Sequence, residues 1–163
     1  MLGLTLLLLA LPQISTTPYL GPAEGPKATV RLVNGTKKLI GVAFYKEPEE
    51  CRHRLIVKPM LKGGQDRRVN VPTNGEVSVT MSQDTGVKFY PTIHIVGCNG
   101  TLTFQAQEGS AYDLRFDQVG GVCRLDIVRT ATKDGPLPAP EPVTYRGREW
   151  IRPMGEAGPF CRS

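Results

Sequence analysis

Residues 76–81 read Glu-Val-Ser-Val-Thr-Met and show the clearest strand pattern of the chain. Its apolar residues Val77, Val79 and Met81 alternate with polar ones, a period of two that separates the two faces of a β-strand. This alternation is typical of a strand with one face on a core and the other face in water. The stretch therefore predicts a half-buried strand of an antiparallel sheet.

Short runs of the same kind recur on both sides of this strand, and turn residues separate them. No segment between Lys27 and Lys133 has the apolar period of an amphipathic helix. Frequent turns and about seven to nine short strands predict an all-β sandwich or a small barrel, and we favour the sandwich. The predicted strands are 28–33, 39–45, 55–57, 67–71, 76–81, 92–96, 101–107, 111–116 and 123–128. The turn signals are Asn34-Gly35, Gly63-Gly64, Asn74-Gly75, Asn99-Gly100 and Gly120-Gly121.

The N-terminal residues 2–11 form an apolar run that is too short to cross a bilayer, which needs roughly 20 residues. Such a run at the start of a chain is typical of a secretory signal, although no Lys or Arg precedes it, and an apolar first strand is the alternative. We predict a signal peptide at 1–23, a linker at 24–27, the β-sandwich at 28–133 and a Pro/Gly-rich tail at 134–163. The mature chain then has no transmembrane segment.

The four cysteines, Cys51, Cys98, Cys123 and Cys161, contain no C-x-x-C pair, which removes the commonest zinc and redox signatures. An even count behind an export signal predicts two disulfides. Three pairings are possible, and we favour Cys98–Cys123 together with Cys51–Cys161. The second of these pairs would tether the tail.

The tail differs in composition from the rest of the chain. The run Pro136-Leu137-Pro138-Ala139-Pro140 predicts an extended, polyproline-like segment. Beyond it come Trp150, Ile151 and Phe160, apolar residues that a disordered tail seldom keeps. We therefore expect an irregular tail that docks back on the sandwich.

Residues 108–116 read Glu-Gly-Ser-Ala-Tyr-Asp-Leu-Arg-Phe and carry a resemblance to known domains. Tyr112, Leu114 and Phe116 alternate after a Gly-Ser turn, which resembles the tyrosine corner of immunoglobulin-like and fibronectin type III sandwiches. The resemblance implies an immunoglobulin-like or transthyretin-like antiparallel sandwich, in which the Tyr112 hydroxyl bonds back to the preceding turn. A plain core tyrosine is the alternative. The chain is also similar to small exported bacterial β-proteins without an assigned role.

The charge distribution suggests one candidate binding surface. The chain carries 20 Lys and Arg against 15 Asp and Glu, a net charge of +5, which is low for a dedicated nucleic-acid binder. One cationic stretch contains a single acid, Asp66, and it predicts a patch for an anionic ligand such as a glycan, a lipid headgroup or a nucleic acid. Its cations are Arg52, Arg54, Lys58, Lys62, Arg67 and Arg68. A solvated strand face with a basic loop is the alternative, and the absence of interleaved aromatic residues disfavours nucleic acid.

The sequence predicts no catalytic residue, metal site or cofactor. The only histidines are His53 and His94, and Cys51-x-His53 would supply two metal ligands at most. Glu49-Glu50 is a carboxylate pair in a polar loop, where we expect both groups to be solvated. The chain lacks the G-x-S-x-G, P-loop, H-E-x-x-H and dinucleotide fingerprints.

These observations favour an exported, non-enzymatic β-sandwich domain that acts in the periplasm or outside the cell through a binding surface. Its expected partner is a protein or an anionic polymer of the cell envelope. An inhibitor or accessory subunit that places its Pro-rich tail on a protein partner is the alternative. A third possibility, an enzyme with scattered carboxylates, would require a deep acidic cleft.

Overall fold

A computed structural model describes residues 17–89, 93–151, 153, 155 and 157–162, and it describes their side chains except at 84–89 and 93–96. Over these ranges the chain forms twelve strands. In the same ranges no helix reaches the length and apolar character that crossing a bilayer requires. The strands are β1 Thr17–Pro18, β2 Lys27–Asn34, β3 Gly41–Glu47, β4 Arg52–Ile56, β5 Asp66–Pro72, β6 Glu76–Phe89, β7 Ile93–Gln105, β8 Ala111–Val119, β9 Val122–Thr132, β10 Gly135–Pro142, β11 Tyr145–Trp150 and β12 Cys161–Arg162.

The strands form two sheets with a shared core. The first sheet has seven strands in the order β1-β4-β3-β6-β7-β11-β12, and the second has five in the order β10-β9-β8-β2-β5. Alternate residues of both sheets point inward and are buried, which confirms the all-β prediction and fits a β-sandwich. The core includes Val30, Leu32, Phe44, Val79, Met81, Leu102, Phe104, Tyr112, Leu114, Phe116 and Ile127.

Two strand pairs depart from the predicted antiparallel arrangement. β2 lies parallel to β8 through six residue pairs in the middle of the second sheet, and β1 lies parallel to β4 at an edge of the first. The strand number also exceeds the expected seven to nine, because the N-terminal segment and the tail contribute strands. Local alternation predicts which residues form strands but not which strand lies beside which.

The predicted hairpin turn at Asn99-Gly100 is absent, because both residues lie inside the continuous strand β7. There Gly100 pairs with Met81 of β6. A Cβ at Gly100 would lie 2.7 Å from the Cβ of Leu125 in the opposite sheet. This glycine therefore permits close approach of the two sheets rather than a turn.

The tail is also more regular than predicted. β10 pairs with β9 with a register shift between Pro136 and Glu141, β11 pairs with β7, and β12 pairs with β11. A strand with many prolines is compatible with an edge position, since an edge strand needs donors on one side only. Phe160 and Cys161 are buried, so the tail does dock on the first sheet, as expected.

Both of the cysteine pairs that we predicted lie at disulfide distance. The Cα atoms of Cys51 and Cys161 are 5.4 Å apart, and this pair fixes β12 to the loop before β4. The Cα atoms of Cys98 and Cys123 are 5.9 Å apart, and this pair joins β7 of the first sheet to β9 of the second. One bond therefore links the sheets and the other holds the tail.

The N-terminal segment belongs to the folded domain from Thr17 onward. The Tyr19 ring stacks on Phe44 at 4.3 Å between centroids, and its hydroxyl donates to the Asn70 carbonyl at 2.6 Å. These two contacts link β3 of the first sheet to β5 of the second. The predicted signal at 1–23 therefore overlaps residues that pack in the sandwich, while residues 1–16 lie outside the described part.

We predict that any processing of the N terminus leaves Thr17 in the mature chain. Cleavage after Ala23 would remove Tyr19 and lower the free energy of unfolding by about 2–4 kcal/mol, as loss of a packed aromatic side chain does. Intact-mass analysis of the secreted protein measures the N terminus directly. A mature chain that starts at Glu24 and unfolds at the same temperature as one that starts at Thr17 would contradict this assignment.

We predict that Gly100→Ala lowers the free energy of unfolding by about 1–3 kcal/mol, because the new methyl group meets Leu125. Gly97→Ala is the control on the same strand, since nothing lies nearer than 3.9 Å to a Cβ there. A double-mutant cycle with Leu125→Gly, measured by urea unfolding, should show coupling. Additive effects would instead mean that Gly100 acts through its backbone alone.

Candidate functional site

The chain crosses between the two sheets twice at one end of the sandwich. Residues 35–40 connect β2 to β3, and residues 57–65 connect β4 to β5. The β8–β9 turn at residues 120–121 also lies at this end. Strands β6 and β7 remain paired with each other beyond this end of the sandwich. We call this region the basic end, because its two crossover loops and the start of β5 carry five cations: Lys37, Lys38, Lys58, Lys62 and Arg67.

The buried side chain of Asn34 fastens the two crossover loops together. Its amide nitrogen donates to the carbonyls of Lys38 at 2.7 Å and Leu61 at 3.0 Å. Its amide oxygen accepts from the Thr36 backbone N–H at 3.0 Å and from the Thr36 hydroxyl at 2.8 Å. Asn34-Gly35 is therefore not the predicted hairpin turn. It starts a loop whose shape depends on a fully satisfied buried amide.

The loops approach each other so closely that a Cβ at Gly63 would lie 2.6 Å from the carbonyl carbon of Lys37. The side chains of Lys37, Lys38 and Lys62 are exposed, and no described carboxylate forms an ion pair with them. The nearby acid Asp66 lies 3.8 Å from Arg31 instead. The positive charge of these lysines is consequently not neutralised by a described side chain.

The structure divides the predicted cationic stretch among three places. Lys58, Lys62 and Arg67 lie at the basic end, where the Arg67 guanidinium donates to the Pro59 carbonyl at 2.9 Å. Arg68 faces outward from β5 beside Arg31 of β2, in a shallow groove of about 430 Å³ on the second sheet. Arg52 and Arg54 lie at the far end of β4, up to about 20 Å from Lys58 along an extended chain.

Two cations of the basic end, Lys37 and Lys38, were not part of the predicted patch. They are separated from Lys58 in sequence by β3 and β4, and only the crossover of both loops at the same end brings them together. The available signal was the Asn34-Gly35 pair beside two lysines, which indicated a surface turn but not its neighbours.

Arg52 and Arg54 differ in their surroundings. Arg52 is half-buried and bonds to the exposed Glu50, whereas the guanidinium of Arg54 lies over the Phe160 ring at 4.7 Å from its centroid. Arg54 is therefore part of the tail contact rather than of a solvated face. Phe160 also packs against Tyr45 at 5.7 Å between ring centroids.

The tail covers the face of β6 that the sequence assigned to water. Ser78 and Thr80 are only 1% and 4% exposed. The Thr80 hydroxyl lies 2.8 Å from those of both Tyr45 and Thr101, and Ser78 lies 2.6 Å from Thr103. Burial raises the pKa of Tyr45 to about 12. The alternation predicted the strand correctly. The prediction that its polar face lies in water is wrong, because the hydroxyls on that face are buried beneath the tail and hydrogen-bond to one another.

A cleft of about 510 Å³ opens at the end opposite the basic end, within the size range of small-molecule sites. Tyr19, Phe44 and Leu55 form part of its apolar wall. Two carboxylates at its rim, Glu49 and Glu76, lie 3.5 Å and 2.6 Å from the Arg146 guanidinium. Arg146 therefore forms ion pairs with both of these carboxylates at the rim of the cleft.

The residues considered for metal binding lie in other contacts. Cys51 is paired with Cys161, and the His53 Nε2 atom lies 3.2 Å from a Glu47 carboxylate oxygen. The part of the chain that the structure describes contains no group of three or more His, Cys, Asp or Glu side chains suited to a metal ion. The His94 side chain lies outside the described residues.

The Tyr112 hydroxyl accepts a hydrogen bond at 2.9 Å from the backbone N–H of Gln107, five residues earlier. This bond returns to the turn before β8, as in the corner that the sequence resembles. The relation to immunoglobulin-like domains remains a prediction. Comparison with protein families finds no family model that matches the chain, and comparison with curated proteins finds no similar sequence.

We predict that Arg54→Ala lowers the free energy of unfolding by about 1–2 kcal/mol, because it removes a packed cation–π contact. Arg52→Ala is the matched control and should unfold like the wild type, since its partner Glu50 is exposed. Urea unfolding followed by the fluorescence of Trp150 measures both variants. Equal effects of the two substitutions would contradict the tail contact and favour a solvated position for Arg54.

Proposed function

We propose that the chain is an exported, non-enzymatic β-domain whose basic end binds an anionic component of the cell envelope. The observation that carries this proposal is the convergence of two crossover loops that present Lys37, Lys38 and Lys62 without a described acidic partner. A cluster of exposed cations on a fixed scaffold raises the local concentration of an anionic ligand through its field.

Export is supported by the apolar run at 2–11 and by two cysteine pairs at disulfide distance. Disulfides persist in the periplasm and outside the cell, whereas the cytosol keeps thiols reduced. The Cys98–Cys123 pair lies near the basic end and joins the two sheets there. An oxidising compartment would therefore help to hold the proposed binding surface in shape.

The alternative function, in which the Pro-rich tail occupies a protein partner, is less favoured by the geometry. The segment from Pro136 to Pro142 lies in β10. The Arg129 guanidinium of the neighbouring strand β9 donates to Glu141 of β10 at 3.2 Å. Release of the segment would break these contacts before any new one forms. A tail deletion that abolishes partner capture while the basic end is intact would support this alternative.

We predict that replacing Lys37, Lys38 and Lys62 together with Gln weakens binding to heparin, used as a soluble anionic polymer. The triple variant should leave a heparin column at lower salt, and its slope of log affinity against log salt should fall by up to about three. Its melting temperature should stay unchanged, because exposed charges contribute little to stability.

The matched control replaces Lys27, Lys46 and Lys133 with Gln. These three lysines are also exposed but lie at the opposite end of the sandwich, at the start of β2, near the end of β3 and after β9. Both triple variants lose the same net charge, so only a localised site distinguishes them. Equal elution of the two variants would show that net charge, and not the basic end, governs binding.

A further inference from the structure

Exposed apolar side chains concentrate at the basic end. Six large hydrophobic side chains are exposed among the described residues, and four of them lie at this end. They are Leu39 at 48%, Met60 at 41%, Val119 at 66% and Val122 at 65% exposure. Single exposed apolar residues are common, but a group at one end that also carries the cations calls for an explanation.

Val119 and Val122 form the tip of the β8–β9 hairpin. They pair with each other across the turn Gly120-Gly121, and both glycines have positive φ angles, 59° and 83°. The turn is therefore tight, and it holds two β-branched side chains side by side beyond the end of the second sheet. The Cys98–Cys123 pair and the Cys98–Gln118 contact at 4.0 Å fix the base of this tip to the first sheet.

The other two apolar side chains alternate with lysines along the chain. Leu39 directly follows Lys38, and Met60 lies between Lys58 and Lys62. Cations alone would suffice to bind a flat polyanion, and exposed apolar side chains would not strengthen that binding. Apolar side chains interleaved with cations match a surface that is anionic outside and apolar a few ångströms deeper, which is the interface of an anionic lipid bilayer.

We propose, on the basis of the proposed function, that the basic end docks on an anionic lipid bilayer. The lysines contact lipid phosphates, and Val119 and Val122 enter the boundary between headgroups and acyl chains. The occupant is thus a bilayer surface rather than a soluble polymer, and the cations and the apolar tip contribute together. Removal of either contribution should leave weak and largely reversible binding.

The test measures cosedimentation with vesicles of phosphatidylglycerol and phosphatidylcholine and, in parallel, with vesicles of phosphatidylcholine alone. We expect the wild type to bind the anionic vesicles only. Val119→Ser combined with Val122→Ser should weaken this binding about tenfold through lost apolar burial, and leave elution from heparin unchanged. Leu20→Ser combined with Tyr145→Ser is the matched control, since it removes two exposed apolar side chains away from the basic end.

A second readout reports insertion itself. Val119→Trp should show a blue shift of its fluorescence on anionic vesicles, whereas Tyr145→Trp on β11 should show none. Retained heparin binding without vesicle binding would overturn the bilayer proposal and leave the proposed function intact. Vesicle binding that is unaffected by the two serine substitutions would overturn the insertion step. If the variant with Lys37, Lys38 and Lys62 replaced bound both heparin and anionic vesicles as tightly as the wild type, the proposed function itself would be overturned.

Discussion

The buried amide of Asn34 is the interaction on which the arrangement of the basic end depends. It lies where the chain leaves the second sheet, and it hydrogen-bonds to both loops that cross to or from the first. The Gly64 N–H also donates to the Asn34 carbonyl at 3.0 Å. An isolated polar group in this position would be costly, whereas a fully bonded one specifies a single loop geometry. The surface that we assign to function is therefore positioned from inside the protein.

The sequence predicts elements that depend on neighbours along the chain and fails where distant segments meet. The strands β2, β5 and β8 follow from local alternation. The prediction of a turn at Asn99-Gly100 was wrong, because this glycine is required by the close approach of Leu125, which lies in the other sheet. The basic end was predicted only in part, since Lys37 and Lys58 are joined by topology and not by spacing. The cysteine pairs were accessible to reasoning because few pairings exist and the tail needed a tether.

The tail explains two further departures from the sequence pattern. Its apolar residues Trp150 and Phe160 pack against the outer side of β3, so that Tyr45 and Thr80 are buried on the face that alternation assigns to solvent. Its prolines recur at every second position from 136 to 142. Proline has no backbone N–H, so these four residues of β10 offer no donor to a further strand. Because β10 lies at the edge of its sheet, the missing donors make it a poorer template for the addition of another strand.

Arginine and lysine have separate roles in this protein. The ion pairs between described residues use arginine throughout, apart from the His53–Glu47 pair, and several are two-pronged contacts in which the Arg guanidinium faces the Asp or Glu carboxylate. The planar guanidinium suits this geometry, whereas the lysine ammonium is a strongly hydrated point charge that prefers water. Each arginine pair is close to neutral, so the positive field comes from the exposed lysines together with the arginines that form no pair with a described carboxylate, such as Arg67 and Arg68. The strands supply stability and a rigid frame, while the two loops that Asn34 holds together place part of this positive charge at one end of the sandwich.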